Sequence, residues 1–182
     1  MRKLRVFESI SVDGYFVDAA GASDWAHTGR ADPEFIAWVG ANSNSGGALL
    51  FGRKTYQMMA AFWPTPLAAQ QMPEVARGMN AAKKYVASRT ISPEWTNTQL
   101  LRGDLVAAVA ALKAESGPPI VVLGSGSIAA QLGEAQLVDE YQFVVIPVVL
   151  GAGRTVFTRG ARLRLLEHRA FSCGNVVLTY GA

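Results

Sequence analysis

Ile120-Val121-Val122-Leu123 is an uninterrupted apolar run, and Gly124-Ser125-Gly126-Ser127 follows it at once. A strand with apolar side chains pointing both ways needs cover on both faces, as in the middle of a parallel sheet flanked by helices. The glycines and serines then turn the chain into a helix predicted over Ile128 to Leu132. The same order of features occurs twice more. Ala48-Leu49-Leu50-Phe51 gives way to Gly52-Arg53-Lys54-Thr55-Tyr56, with a helix beginning near Arg53, and Tyr85-Val86-Ala87 ends in Ser88-Arg89-Thr90. Apolar strands that stop at glycine, hydroxyl or cation and alternate with helices define an α/β chain.

Those strand ends carry a chemistry. Glycine lets the backbone approach a ligand, the first N–H groups of a helix point at an anion, and Arg or Lys adds charge. Ligands of open α/β sheets sit outside the carboxyl ends of the strands, so three such ends on one edge would form a single dinucleotide cleft. The competing reading is that each is a polar loop with turn glycines, which strand ends require anyway. Two familiar nucleotide motifs are absent. Gly124-Ser125-Gly126-Ser127-Ile128-Ala129 lacks the third glycine of the Rossmann fingerprint and comes late in the chain, and no Gly-x-x-x-x-Gly-Lys-Ser/Thr occurs.

Length and composition bound the rest. The 182 residues suit one domain over 1–182, and 50% hydrophobic against 17% charged residues can build a core throughout. A net charge of +3 without a dense run of Lys or Arg fits a small anionic molecule better than nucleic acid. Cys173 is the only cysteine, which excludes an internal disulfide, and with just two histidines, His27 and His168, no metal site is expected. No apolar run approaches membrane-spanning length, and Glu8, Ser9, Ser11 and Asp13 interrupt the start where a signal peptide would be apolar. The expectation is a reduced, cytoplasmic protein without a membrane partner.

In chain order, Leu4 to Ile10 reads as a first strand that runs into an Asp13-Gly14 turn. Asp18 to Arg30 is long for a connection, and such loops are often lids or binding loops. Asp32-Pro33-Glu34 opens a helix with cap, first-turn proline and first-turn acid in agreement. The helix from Arg53 ends before Pro64 and Pro66, and residues 67–82 form a looser, partly helical stretch. Thr98 to Leu101 is a short strand, and Asp104 caps an amphipathic helix through Lys113. Val138 to Val145 is a further strand, leading into Pro147 to Gly153. Leu163 to Phe171 and Asn175 to Tyr180 make a closing hairpin around Cys173-Gly174-Asn175.

Taken together, Ile10-Ser11-Val12-Asp13-Gly14, Phe51-Gly52-Arg53-Lys54-Thr55-Tyr56, Tyr85 to Thr90, Gly124 to Ser127, Leu137 to Tyr141 and Pro147 to Gly153 occur in an order that resembles the dihydrofolate reductase superfamily. The nearer resemblance is to stand-alone bacterial proteins similar to the reductase domain of the bifunctional riboflavin-biosynthesis deaminase/reductase. It covers nearly the whole chain. It implies a three-layer α/β fold, with a central mixed, mostly parallel sheet flanked by helices and a C-terminal antiparallel hairpin. It implies NADPH as hydride donor, a small-molecule substrate of pterin or pyrimidine kind, and a homodimer. By the same resemblance Arg53 and Arg89, with Gly52, Lys54 and Ser88 beside them, meet the adenosine 2′-phosphate end. Thr55 and the amides of Gly124, Ser125, Gly126, Ser127 and Ile128 hold the pyrophosphate, and Ile10, Val12 and Gly14 lie near the nicotinamide.

At the substrate end the pattern departs from both branches. Trp25 and the Asp32-Pro33-Glu34 helix start occupy the region where folate reductases carry a carboxylate near a tryptophan, which makes Asp32 and Glu34 candidate proton donors and Trp25 a candidate ring platform. Both acids are also accounted for as cap and first-turn charge. Asp13 is a third candidate, for orienting nicotinamide or substrate, and is equally a turn former. The Leu-Pro-x-Arg-like element for a glutamate tail is missing from Met79 to Lys84. Asn42-Ser43-Asn44-Ser45 and Phe7-Glu8 stand where the riboflavin-pathway enzyme has Arg-rich and Lys elements. Two functions remain open: an NADPH-dependent reductase, and an NADPH-binding module without turnover. Tyr141 to Ile146 is either core or a dimer interface that extends the sheet.

Overall fold

The computed structural model describes residues 1–29 and 31–182. Its strands are β1 (Leu4–Ser11), β2 (Tyr15–Asp18), β3 (Ala48–Gly52), β4 (Lys84–Ala87), β5 (Thr98–Leu101), β6 (Ile120–Leu123), β7 (Glu140–Ile146), β8 (Gly153–Thr155), β9 (Arg164–Ala170) and β10 (Val176–Gly181). Its helices are α1 (Pro33–Ser43), α2 (Arg53–Phe62), α3 (Pro66–Gln71), α4 (Pro73–Ala81), α5 (Leu105–Ala114) and α6 (Gly126–Glu134), with a short 3-10 turn at Asp24–Ala26. Eight strands form one sheet in the order β5-β4-β3-β6-β1-β7-β10-β9, and β2 pairs with β8 in a separate ribbon. The pairs from β5 to β7 are parallel, whereas β10 runs antiparallel to both β7 and β9. The expected mixed sheet, its helical layers and its antiparallel finish are all present.

Alternation along the central strands decides which helices cover which face. Val6, Leu50, Ile120 and Val122 join Val109 and Leu112 of α5 and Ile128, Ala129 and Leu132 of α6 in the main core. The intervening residues point the other way. Phe51 and Val86 meet Tyr56, Val75 and Met79 of α2 and α4, while Val144, Ile146 and Val177 meet Phe35 of α1. The apolar run of β6 is therefore covered on both faces, as its sequence requires.

Local signals set the helix starts. The Asp32 carboxylate accepts from Glu34 N and Phe35 N, Thr65 caps α3, and Asp104 caps α5. The looser stretch at 67–82 is two helices, α3 and α4, split at Met72-Pro73. β7 is paired along both edges, by β1 and by β10, so Tyr141 to Ile146 is core and cannot extend the sheet into a second molecule. The ribbon of β2 and β8 has no counterpart in the sequence reading.

Candidate functional site

The carboxyl ends of β1, β3 and β6 open on one cleft of about 600 Å³. The position follows from the winding. The chain runs outwards from β3 to β5, α5 brings it back to insert β6 between β3 and β1, and β7 is then added on the far side of β1. Such a reversal leaves a gap between the connections at the strand ends, where ligands of α/β sheets bind. The floor and sides come from Phe7, Glu8 and Ser9 of β1, Gly52 to Thr55, and Leu123 to Ser127. Gly21, Ser23, Ala26 and His27 of the long loop form one rim, as expected of that segment; its last residue, Arg30, lies outside the described residues. Phe16 and Arg154, from the small ribbon, complete the wall. A second hollow, of about 680 Å³, lies at the far end of α6 around Glu134, Arg159 and Arg162, where no helix N-terminus opens.

Two helices start on this cleft, and neither is closed by a side chain. Gly52 at the cap of α2 has none to offer, and Ser125, at the cap of α6, does not cap it. Its hydroxyl accepts from Gly52 N (2.9 Å) and leans back on Leu123 O (3.3 Å). Thr55, in the first turn of α2, donates in the opposite direction to Gly124 O (2.9 Å). The two hydroxyls that could have served the helix starts instead lash β3 to β6. First-turn N–H groups have no acceptor within a helix, so both N-termini present donors and positive potential to the cleft. Arg53 and Lys54, both exposed, and Arg154 add full charges. The donor set matches a phosphorylated ligand.

The cleft brings together Gly52, Arg53, Lys54, Thr55, Gly124, Ser125, Gly126 and Ser127. It does not include the other sequence candidates. Ser88 accepts from Thr90 N and Ile91 N in a turn of its own, and Arg89 is exposed beyond it. The amides of Ile128 and Gly124 are already given to Ser125 O (2.8 Å) and Phe7 O (3.2 Å), the Ile128 side chain lies in the main core, Ile10 packs against that core, and Val12 is turned to solvent with Gly14 in the turn behind it. Trp25 packs against the cluster around Phe35 and donates its indole N–H to Ala22 O.

The three candidate carboxylates are engaged elsewhere. Asp32 accepts four hydrogen bonds, from Glu34 N and Phe35 N at its own helix and from Ser172 Oγ and Cys173 N of the β9–β10 turn. These donors, the Ser172 hydroxyl foremost, hold it well below the usual carboxylate range. Glu34 is exposed and paired with Arg169 of β9 at 2.6 Å. Asp13 accepts from Leu150 N (3.2 Å) and Gly151 N (2.8 Å), and its acidity is also raised, chiefly by the Ser11 hydroxyl.

Comparison with known proteins places this arrangement. Residues 2–177 match the RibD C-terminal domain family. The chain belongs to that family. Among solved structures it resembles a putative riboflavin biosynthesis protein from Shewanella sp. PV-4, with 22% identity, a TM-score of 0.69 and 98% of each chain covered. It also resembles a pyrimidine reductase-like protein from Corynebacterium diphtheriae, with 12% identity and a TM-score of 0.63 over 99% of this chain and 91% of that one. The uncharacterized protein YyaP of Bacillus subtilis strain 168 is 26% identical over 184 residues, covering 98% of this chain and 94% of its own. A cofactor site at the strand ends agrees with this kinship.

Glu8, Phe16 and Arg154 are cleft residues that the sequence reading did not select. Glu8 had a signal: it is a carboxylate on the face of β1 otherwise made of Leu4, Val6 and Ile10, in a strand that this fold places at the middle of the sheet. It shares its face with Val6 and Ile10, and its Oε2 is buried without a hydrogen-bond partner. Burial pushes its pKa up to about 8, only partly opposed by the Ser9 backbone N–H. The folded protein therefore keeps the proton over a range in which the unfolded chain has lost it. Below about pH 4.5 both states are protonated; between there and about pH 8 the folded state is progressively disfavoured as pH rises. At roughly 1.4 kcal/mol per pH unit, Glu8→Gln should gain on the wild type by on the order of 3 kcal/mol between pH 4.5 and pH 7. Urea unfolding of both proteins without added ligand across that range measures it; a pH-independent difference would contradict the burial of a neutral Glu8.

Proposed function

We propose that the protein is an NADPH-dependent reductase acting on a small, flat, polar heterocycle of the pterin or pyrimidine type. The observation that carries this reading is the pair of uncapped helix N-termini, α2 and α6, facing one cleft with Arg53, Lys54 and Arg154 at its sides. Membership of the RibD C-terminal domain family and likeness to a pyrimidine reductase-like protein support it. NADPH, when bound, supplies the hydride. The chain supplies binding and orientation.

Arg53, at the first position of α2, receives the 2′-phosphate, for which a guanidinium fork is suited, and Lys54 adds charge. The amides at the start of α6, from Ser125 to Ser127, take the pyrophosphate, while Gly124 N is already given to Phe7 O (3.2 Å) and Thr55 and Ser125 hold the two loops at their separation rather than spending their hydroxyls on the ligand. Phe7, Glu8 and Ser9 of β1 and His27 of the rim line the remainder of the cleft and would be the residues left to meet a nicotinamide ring and its acceptor. Ser88, Arg89, Asp13, Asp32 and Glu34 have no part in it.

Turnover is measured by NADPH oxidation with dihydrofolate, a ribitylamino-pyrimidinedione and quinone-like acceptors. Oxidation with at least one acceptor is expected; tight NADPH binding with silence across the panel would favour a binding module without turnover. Arg53→Ala should weaken NADPH on the order of ten- to a hundredfold and NADH hardly at all, since charge-assisted contacts to the 2′-phosphate contribute about 1.5–3 kcal/mol. Equal losses for both cofactors would remove the 2′-phosphate assignment.

We also infer a homodimer through β9. This strand ends the eight-stranded sheet, every one of its residues is exposed, and Leu165 and Leu166 are 50% and 42% accessible. An exposed edge of that kind is a template for pairing. Sedimentation should give a dimer for the wild type and a monomer for Leu165→Arg; an unchanged state would exclude this edge as the interface.

A further inference from the structure

Every other buried acidic or basic side chain among the described residues has been given partners. Lys84 donates to three carbonyls, Lys113 is held by Asp139, Glu140 by Lys3 and Arg5, Arg2 by Pro118 O and the Tyr85 hydroxyl, and Asp32 by four donors. Glu8 is the exception, with Oε2 buried and unpaired. An unpartnered buried carboxyl group is costly and contributes nothing to the core around it. It also does not lie in the core's centre but on the wall of the cleft, next to Phe7 and Ser9. The charged and titratable groups facing the same space are Arg53 and Lys54 on α2, His27 on the loop rim and Arg154 on β8. None of them forms a salt bridge with Glu8 or counts among the influences on its acidity.

Resting on the reading of the cleft as a reductase site, we propose that Glu8 is a catalytic residue, the acid that gives the acceptor the proton that must accompany hydride. A hydride supplied to the carbon of the acceptor's C=N or C=O bond would move the double-bond electron pair to the nitrogen or oxygen. That atom takes the proton of the Glu8 carboxyl group, whose O–H bond breaks to leave a carboxylate. The carboxylate regains a proton from solvent through the rim bearing His27. The balance is one reduced cofactor and one proton consumed for each double bond reduced. A neutral acid in a site that receives a polyanionic cofactor is self-consistent, because added negative charge favours the protonated form further. Asp32, Glu34 and Asp13 cannot take this role without giving up the contacts that close α1 and tie down Leu150 and Gly151.

The first measurement needs no turnover. In protein labelled with carboxyl-13C glutamate, one resonance absent from Glu8→Gln should titrate near pH 8 and move to higher pH when NADPH is saturating. A Glu8 resonance titrating near pH 4.5 in both states would overturn the proposal. The second is the pH dependence of kcat/KM with an accepted substrate. The wild type should lose activity above about pH 8. Glu8→Gln should fall roughly 10²- to 10⁴-fold and lose that limb, with NADPH affinity changed by less than about threefold. Glu8→Asp keeps an acid and should retain the limb with a smaller loss. Turnover and an alkaline limb undiminished in Glu8→Gln would overturn this role and leave the reductase reading standing; a wild type that reduces no acceptor would overturn both.

Discussion

The two opposed hydrogen bonds between the ends of β3 and β6 are the contact on which the site depends. Gly52 N gives to the Ser125 hydroxyl, and the Thr55 hydroxyl gives to Gly124 O. Each fixes one loop against the other, and each diverts a hydroxyl from a helix start. A conventional serine or threonine cap contributes about 1 kcal/mol to a helix by satisfying a first-turn N–H. α1, α3 and α5 take that contribution from Asp32, Thr65 and Asp104. α2, α4 and α6 forgo it, and of these three α2 and α6 open on the cleft. The missing caps leave their donors for a ligand, while the same hydroxyls hold the donors of both helices in a fixed relation.

Charge is distributed along the sheet with a matching division. Arg2, Lys3, Arg5, Lys84 and Glu140 lie at or near the amino ends of their strands, and Lys113 reaches Asp139 there from the end of α5. These groups pair with one another or with carbonyls, so the amino edge is held by satisfied polar contacts at the border of an apolar core. Breaking such a pair would strand a charge, which costs more than the pair contributes. The carboxyl edge is built differently, from open N–H groups, unpaired cations and one unpaired acid. Stability is invested at one edge of the sheet and binding capacity at the other.

Much of this was legible in the sequence because it is local. Apolar runs gave the central strands, Asp-Pro-Glu and Asp104 gave helix starts, and glycine with hydroxyl marked two of the cleft's three strand ends. What the residues could not tell was lateral order. Ser88-Arg89 has the same chemistry as Gly52-Arg53, but β4 lies two strands from β6, roughly 10 Å at the usual strand spacing, and its polar end turns on itself. Glu8 was passed over because a charged residue on a half-buried strand ordinarily faces solvent; only the insertion of β1 between β6 and β7 puts it inside. Asp32 was rightly read as a cap, yet its second oxygen serves the distant turn at Ser172 and Cys173, a tertiary contact that no local pattern announces.

The small ribbon of β2 and β8 escaped notice because its strands are short and its register is irregular, but it decides the shape of the cleft. Asp13 binds Leu150 N and Gly151 N, which carries the following segment across the end of β1 and delivers β8 beside β2. The ribbon then lays Phe16 against Gly126, where a Cβ would come within 2.1 Å of the ring, and sets Arg154 over that ring at 5.3 Å from its centroid. Gly126 is therefore a packing requirement: any side chain there would displace the Phe16 ring, on which Arg154 rests. A carboxylate outside the cleft lining thus sets the position of a cation on its wall, by way of a turn, a ribbon and an aromatic ring.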